Sequence, residues 1–346
     1  MKTTAAVLTE INQPLQIEEL TIPPLKKGQV LVEITYSGIC HSQLNEIEGK
    51  KGPDKFLPHT LGHEGAGVVE ETGPDVTKVK SGDHVVLTWI KGEGADVPST
   101  VYSNDNGSKV NSGAISTFMT RTVVSENRLI AIPKEMPLKE AALLGCAIPT
   151  GAGIILNTIK PKPESSLVVF GVGGIGMSVV VAAKAASCKR IIAIDVHKQK
   201  LQLARQMGAT EIINAKKEEP LSVIMELTDG EGADYAVESA GLKKTMEMAF
   251  MSVKDNGGLL VIAGNLSHNE KISISPFDLI KGKRIIGTWG GETIPDRDIP
   301  KYVRLYLKGK LDLDSLITHR FSLDHINRAM ETFRNEDNAL RILIEC

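Results

Sequence analysis

Apolar and polar positions alternate over residues 1–17, and to about residue 150 short strand-like runs such as 30–36, 66–69 and 84–88 are separated by Gly, Pro and Asp turn signals. A period of two marks a half-buried strand. This part is expected to be β-rich, with residues 1–17 as its opening strand. From Leu167 the texture changes to apolar strand, glycine turn and helix, repeated, with strands at 167–170, 191–195, 211–214, 234–237, 259–263 and 284–287. Apolar strands alternating with helices build a parallel sheet covered on both faces. After Gly291 the helical period returns at 299–307 and 325–334, followed by a strand at 341–345 that is expected to rejoin the first domain. Residues 93–113 are rich in Gly, Ser, Asn and Asp without apolar period and are expected to form a long surface loop.

A chain of 346 residues exceeds what a single core usually supports, so two domains are expected. Lys and Arg number 40 against 42 Asp and Glu, a net charge of -2, which provides no electrostatic footprint for nucleic acid or an anionic membrane surface. A small-molecule partner is expected instead. The N-terminus lacks a basic start followed by an apolar core, and no uncharged apolar run reaches the ~18 residues of a membrane span. Four cysteines, Cys40, Cys146, Cys188 and Cys346, show no disulfide spacing. Cytoplasmic location is the expectation.

Gly171, Val172, Gly173, Gly174, Ile175 and Gly176 follow an apolar strand and open a helix, the setting in which a glycine pattern marks a dinucleotide site. Gly171 would permit the tight turn, Gly173 the approach of a pyrophosphate, and Gly176 close packing of helix on strand. Asp195 ends the next strand, where a carboxylate accepts from ribose hydroxyls and repels a 2′-phosphate. NAD is therefore favoured over NADP.

Three distant segments carry borderline or soft metal donors: Cys40-His41, Gly62-His63-Glu64 and Gly145-Cys146. Singly, each reads as core filling or a satisfied histidine. Together, two thiolates and an imidazole make a three-donor zinc set that keeps a fourth position open.

Gly38-Ile39-Cys40-His41-Ser42, Gly62-His63-Glu64-Gly65, Gly82-Asp83-His84-Val85, Gly145-Cys146 with Thr150-Gly151, the glycine turn with Asp195, and Leu340-Arg341 resemble the zinc-containing medium-chain alcohol dehydrogenases in order and spacing. The resemblance implies an α/β protein: a GroES-like β-barrel catalytic domain from residues 1–147 and 289–346, and a Rossmann domain with a doubly wound parallel sheet, 148–288, that binds NAD. The active site would lie in the cleft. It implies catalytic zinc on Cys40, His63 and Cys146, Glu64 as neighbouring carboxylate or alternate ligand, and Ser42 as first proton acceptor. His41 and Arg341 would face phosphates, Lys200 the adenosine ribose, and Thr150 and Val172 the nicotinamide. Trp89 would wall the substrate pocket, its alternative being core packing. The implied reaction moves a hydride between a primary or secondary alcohol, polyhydroxy compounds included, and NAD, with zinc as Lewis acid on the oxygen.

Three positions depart from the family pattern. Gln43 stands where relatives carry an aspartate; its amide oxygen is expected to accept the imidazole N–H of a zinc ligand, and the missing charge to weaken zinc retention. Asn45 replaces a relay histidine and cannot titrate, which leaves water to complete the proton route. The segment 93–113 holds no cysteine, so one catalytic zinc and no structural zinc are expected. The competing readings are a zinc-independent reductase of the same fold and a non-catalytic NAD-binding relative. The strand at 284–287 with Thr288-Trp289 falls where relatives dimerise, which predicts a homodimer or homotetramer.

Overall fold

The structure, a computed structural model, describes all 346 residues. It divides into two compact units, Met1–Cys146 with Ile294–Cys346, and Ala147–Thr293. The second crossing falls later than the 288/289 boundary suggested by the sequence. The turn Gly290–Glu292 explains the difference. Gly291, at φ +67°, sits where a Cβ would come within 2.3 Å of the Thr150 carbonyl, and Thr293 Oγ1 donates to the Pro149 carbonyl at 2.8 Å.

In the first unit a closed barrel runs in the order Lys2–Leu8, Gln16–Thr21, Val101–Asn104, Lys109–Asn111, His59–Thr60. The opening segment thus makes two strands, because Asn12, Gln13 and Pro14 turn the chain, Asn12 at φ 63°. Residues 93–113 are likewise not a plain loop. Residues 93–100 are irregular as expected, but 101–111 fold as a hairpin in which Tyr102 and Val110 point into the barrel core, and the Tyr102 hydroxyl accepts from Val123 N at 2.9 Å. Strands of four and three residues are too short to display a period, yet the turn between them has its own logic. Asn104 Oδ1 accepts from Asn106 N and Ser108 N, and Gly107 takes φ +75°.

A second, seven-stranded sheet carries the long strand Gln29–Gly38 between Glu64–Thr72 and Arg341–Glu345. The C-terminal strand pairs antiparallel through Ile344↔Ser37 and parallel to Ile317–Ser322, so the tail rejoins the first unit. Its apolar face, Ile342 and Ile344, packs with Ile39, Leu44, Ile47 and the amphipathic helix Ile326–Asn335.

The second unit is a six-stranded parallel sheet in the order Glu211–Asn214, Arg190–Asp195, Ser166–Phe170, Tyr235–Glu238, Leu259–Ile262, Arg284–Gly287. That is the doubly wound order whose direction reverses beside Ser166–Phe170. Val168, Phe170, Ile192 and Ile194, from the two central strands, are buried in one apolar cluster. Arg284–Gly287 is an edge strand. Around it Ile280 and Trp289 are exposed by 78 % and 76 %. No single helix is long and apolar enough to cross a membrane.

Candidate active site

Each donor is held by a different feature of the first unit. Cys40 caps the helix His41–Ile47, His63 precedes the strand Glu64–Thr72, and Cys146 ends the 3-10 turn Ala142–Gly145. Their Sγ and ring nitrogen atoms all lie within 4.8 Å of one another, with His63 Nε2 at 3.2 Å from Cys146 Sγ. Zn–S bonds of about 2.3 Å and Zn–N bonds of about 2.0 Å demand donor separations of that order. The set also has the chemistry zinc prefers, so the residues fit the ion.

Electrostatics in the cluster favour a thiolate on Cys40. Cys40 is held well below the ordinary thiol range, first by the hydrogen bond from Cys146 and then, against burial, by His63. Cys146, donating to Cys40 and buried, is pushed well above it. The pair thus holds one thiolate. Burial opposes charge on His63, but the hydrogen bond and charge of Cys40 outweigh it and raise its pKa.

Behind the donors, Arg341 Nη2 donates to Glu64 Oε1, and both side chains are almost completely buried. Burial raises the Glu64 pKa, and the Arg341 guanidinium opposes that rise. Glu64 Oε2 and Arg341 Nε have no protein partner. Arg341, expected at a pyrophosphate, is thus engaged with Glu64 here. A Cβ at Gly38 or at Gly145 would come within 2.7 Å of the Glu64 side chain. Only glycine leaves it room.

Other expected residues fall as follows. Ser42 and Asn45 are half-buried, three apart on one helix and so on one face. His41 is exposed, with its ring 4.5 Å from that of Phe333. Trp89 packs against the apolar cluster of Val79, Val85 and Leu87, the core role that stood as its alternative. The expected Gln43 contact is reversed. Its Oε1 accepts from Cys40 N at 2.9 Å, and it is Nε2 that faces His63 Nδ1. The backbone N–H is a fixed donor that takes the only acceptor oxygen.

A cavity of about 340 Å³ opens beside His63 and Gln43, walled by Glu46, Phe56, His59 and Ile115. Sequence reasoning missed this wall. His59 bonds Asp54 Oδ2 through Nε2 at 2.8 Å and the Thr60 carbonyl through Nδ1 at 3.1 Å, while Glu46 lies nearby. Only the placement of His59 four residues before His63 hinted at it. A larger cavity, about 520 Å³ between Asn12, Lys50 and Arg334, includes none of the donors.

In the second unit Gly171 takes φ +81°, and a Cβ at Gly176 would meet the Gly171 carbonyl at 1.9 Å. Both glycines are required by packing. Gly173 has no atom within 4 Å of a Cβ position, so open space adjoins the N-terminus of the helix Gly174–Ala185, whose first turn has no acidic residue. That fits a phosphate. Asp195 accepts from Val172 N at 2.9 Å and from Val196 N and His197 N, which ties the glycine turn to the next strand. Val172 and Thr150 are buried; Ile175 and Lys200 are partly exposed.

The profile of the alcohol dehydrogenase GroES-like domain matches residues 26–134 and that of the zinc-binding dehydrogenases residues 174–308. The chain is 37 % identical to an S-(hydroxymethyl)glutathione dehydrogenase from Synechocystis sp., over 96 % of each chain. It belongs to the zinc-containing alcohol dehydrogenase family. An Escherichia coli enzyme also named S-(hydroxymethyl)glutathione dehydrogenase is 35 % identical, covering 99 % of this chain and 100 % of its own. Among solved structures, an alcohol dehydrogenase zinc-binding domain protein from Burkholderia ambifaria superposes with a TM-score of 0.92 at 33 % identity, covering 100 % of this chain and 99 % of its own. Benzyl alcohol dehydrogenase from Acinetobacter calcoaceticus gives 0.90 at 31 % with the same coverage. As a zinc-containing alcohol dehydrogenase this chain is a zinc-dependent oxidoreductase that moves a hydride between a CH–OH carbon and a nicotinamide cofactor.

Removing one member of a buried ion pair costs about 3–5 kcal/mol, because the other charge is left uncompensated. Arg341→Leu is expected to lose that much stability in urea unfolding of the metal-free protein. A loss under about 1 kcal/mol would show that Glu64 does not depend on this partner.

Proposed function

We propose that Cys40, His63 and Cys146 hold one catalytic zinc per chain, and that the protein oxidises a primary or secondary alcohol, or reduces the matching aldehyde or ketone, with NAD. The convergence of two thiols and an imidazole within 4.8 Å carries the reading. When bound, zinc supplies a Lewis acid for the substrate oxygen and NAD supplies the hydride acceptor. The chain's own groups do the rest. Cys40 already favours the thiolate form a ligand needs, and Arg341 balances Glu64 beside the donors. Ser42 accepts the alcohol proton and passes it on; Asn45, three residues away, orients water rather than titrating. A zinc relying on four clustered cysteines finds none in the hairpin 93–113.

For the cofactor, Gly171–Gly176 would receive the pyrophosphate at the helix N-terminus, with His41 as a further phosphate partner. Asp195 and Lys200 would flank the adenosine ribose, and Thr150 and Val172 the nicotinamide. The negative charge of Asp195 supports NAD over NADP.

The names of the relatives suggest two substrates to try first, S-(hydroxymethyl)glutathione and benzyl alcohol. Four thiols, none in a disulfide, support a reducing, cytoplasmic setting. A small molecule is the expected partner, rather than nucleic acid or membrane. The uncovered edge strand Arg284–Gly287, with exposed Ile286 and Trp289, supports a homodimer or homotetramer.

Elemental analysis is expected to find one zinc per chain, and Cys146→Ser to lose zinc and NAD-linked turnover together, by roughly 100-fold or more. Two zinc ions per chain, or turnover that survives chelation, would overturn this reading. Asp195→Ser is expected to lower the NAD over NADP preference in kcat/KM by roughly tenfold, about 1.4 kcal/mol of lost repulsion; an unchanged ratio would place discrimination elsewhere. Sedimentation should show a dimer or tetramer that Ile286→Glu dissociates, whereas a wild-type monomer would refute the edge-strand interface.

A further inference from the structure

Phe170, the residue before the glycine turn, pairs on one side with Ile194, which Asp195 follows, and on the other with Glu238. Asp195 braces the turn directly, through Val172 N. Glu238 reaches it one step removed. Its side chain is fully buried, and Oε1 accepts from Ala240 N at 3.0 Å, Gly241 N at 2.9 Å and Thr245 Oγ1 at 2.7 Å. Oε2 has no protein partner. The three donors fold residues 239–241 into a tight turn, with Gly241 at φ +74°, and that turn lies against the glycine turn. Ser239 Oγ donates to the Gly171 carbonyl at 2.7 Å, and a Cβ at Gly171 would meet Ala240 at 2.9 Å.

Burial raises the Glu238 pKa, and the hydrogen bonds, that of Thr245 foremost, oppose the rise. What the turn uses is one acceptor oxygen, which a neutral group can also supply. We propose that Glu238 is a positioning residue for the cofactor, which fixes residues 239–241 against Gly171 and so holds the cradle Gly171–Gly176 in its binding shape before NAD or NADH arrives. A cradle already in shape gives up less conformational freedom on binding, and affinity gains by that difference. Asp195 and Glu238 then clamp the glycine turn from the two strands that flank it. The proposal rests on the glycine turn receiving the pyrophosphate.

The test uses the full-length protein. NADH affinity is measured by fluorescence titration, and stability by thermal melting, for wild type, Glu238→Ala, Glu238→Gln, Ser239→Ala and Gly173→Val. Glu238→Ala is expected to weaken NADH binding by about tenfold or more at temperatures where it is fully folded, since it removes the acceptor of three hydrogen bonds. Glu238→Gln keeps an acceptor oxygen in the same place and is expected to bind within about threefold of wild type. Ser239→Ala leaves the Glu238 network intact, is expected to weaken NADH by about 3–10-fold, and serves if Glu238→Ala does not fold. A lowered melting temperature with unchanged NADH affinity in Ser239→Ala and in folded Glu238→Ala would mark a purely structural role and overturn the proposal. Glu238→Gln binding no better than Glu238→Ala would overturn it as well. Gly173 has open space at its Cβ position, so Gly173→Val is expected to melt like wild type and lose NADH binding. NADH binding at wild-type strength in that variant would instead bring down the pyrophosphate assignment beneath the proposal.

Discussion

The buried pair of Glu64 and Arg341 sits at the point where the three donor-bearing segments meet, and the site depends on it. His63 directly precedes Glu64, while Cys40 and Cys146 follow closely on Gly38 and Gly145, the two glycines against which the Glu64 side chain packs. A side chain on either glycine would push its segment away, and the thiols would separate. Burying that carboxylate is tolerable because Arg341, delivered by the C-terminal strand, neutralises it. One ion pair therefore couples Arg341, near the end of the chain, to three donors far earlier in the sequence, Cys40, His63 and Cys146.

The same compactness shapes the acidity of the donors. Two thiols and an imidazole in mutual contact shift one another's proton affinity, so Cys40 is pushed towards the thiolate and Cys146 away from it. Such an arrangement suits a cation that needs thiolates. Beside the cluster stand an uncharged neighbour, Gln43, with a single acceptor oxygen, and a cavity wall made by Glu46, Phe56 and His59.

In the second unit the demands are steric before they are chemical. Gly171 and Gly176 are forced by the backbone and by helix packing, whereas Gly173 faces open space and is explained only by something that approaches there. Asp195 has two duties, since its carboxylate braces the glycine turn through Val172 N and stands where a ribose would be read. Structure and recognition therefore use the same carboxylate.

The sequence by itself determined whatever is written in local period and in glycine spacing. The six runs became the six parallel strands with ends shifted by a residue or so; the central four, buried on both faces, have no alternative to an apolar run. The glycine turn was legible for the same reason, its demands being those of backbone sterics. The three donors could be singled out by type, though nothing local required them to meet. Tertiary structure alone decided what depends on distant partners. The hairpin within 93–113 is held by its barrel neighbours and is too short to show a period; Trp89 turned to the core because apolar strands surround it. The pairing of Arg341 with Glu64 and the reversal of the Gln43 amide arise from buried hydrogen-bond partners far apart in the chain, and satisfying buried polar groups is a three-dimensional constraint that no residue carries alone.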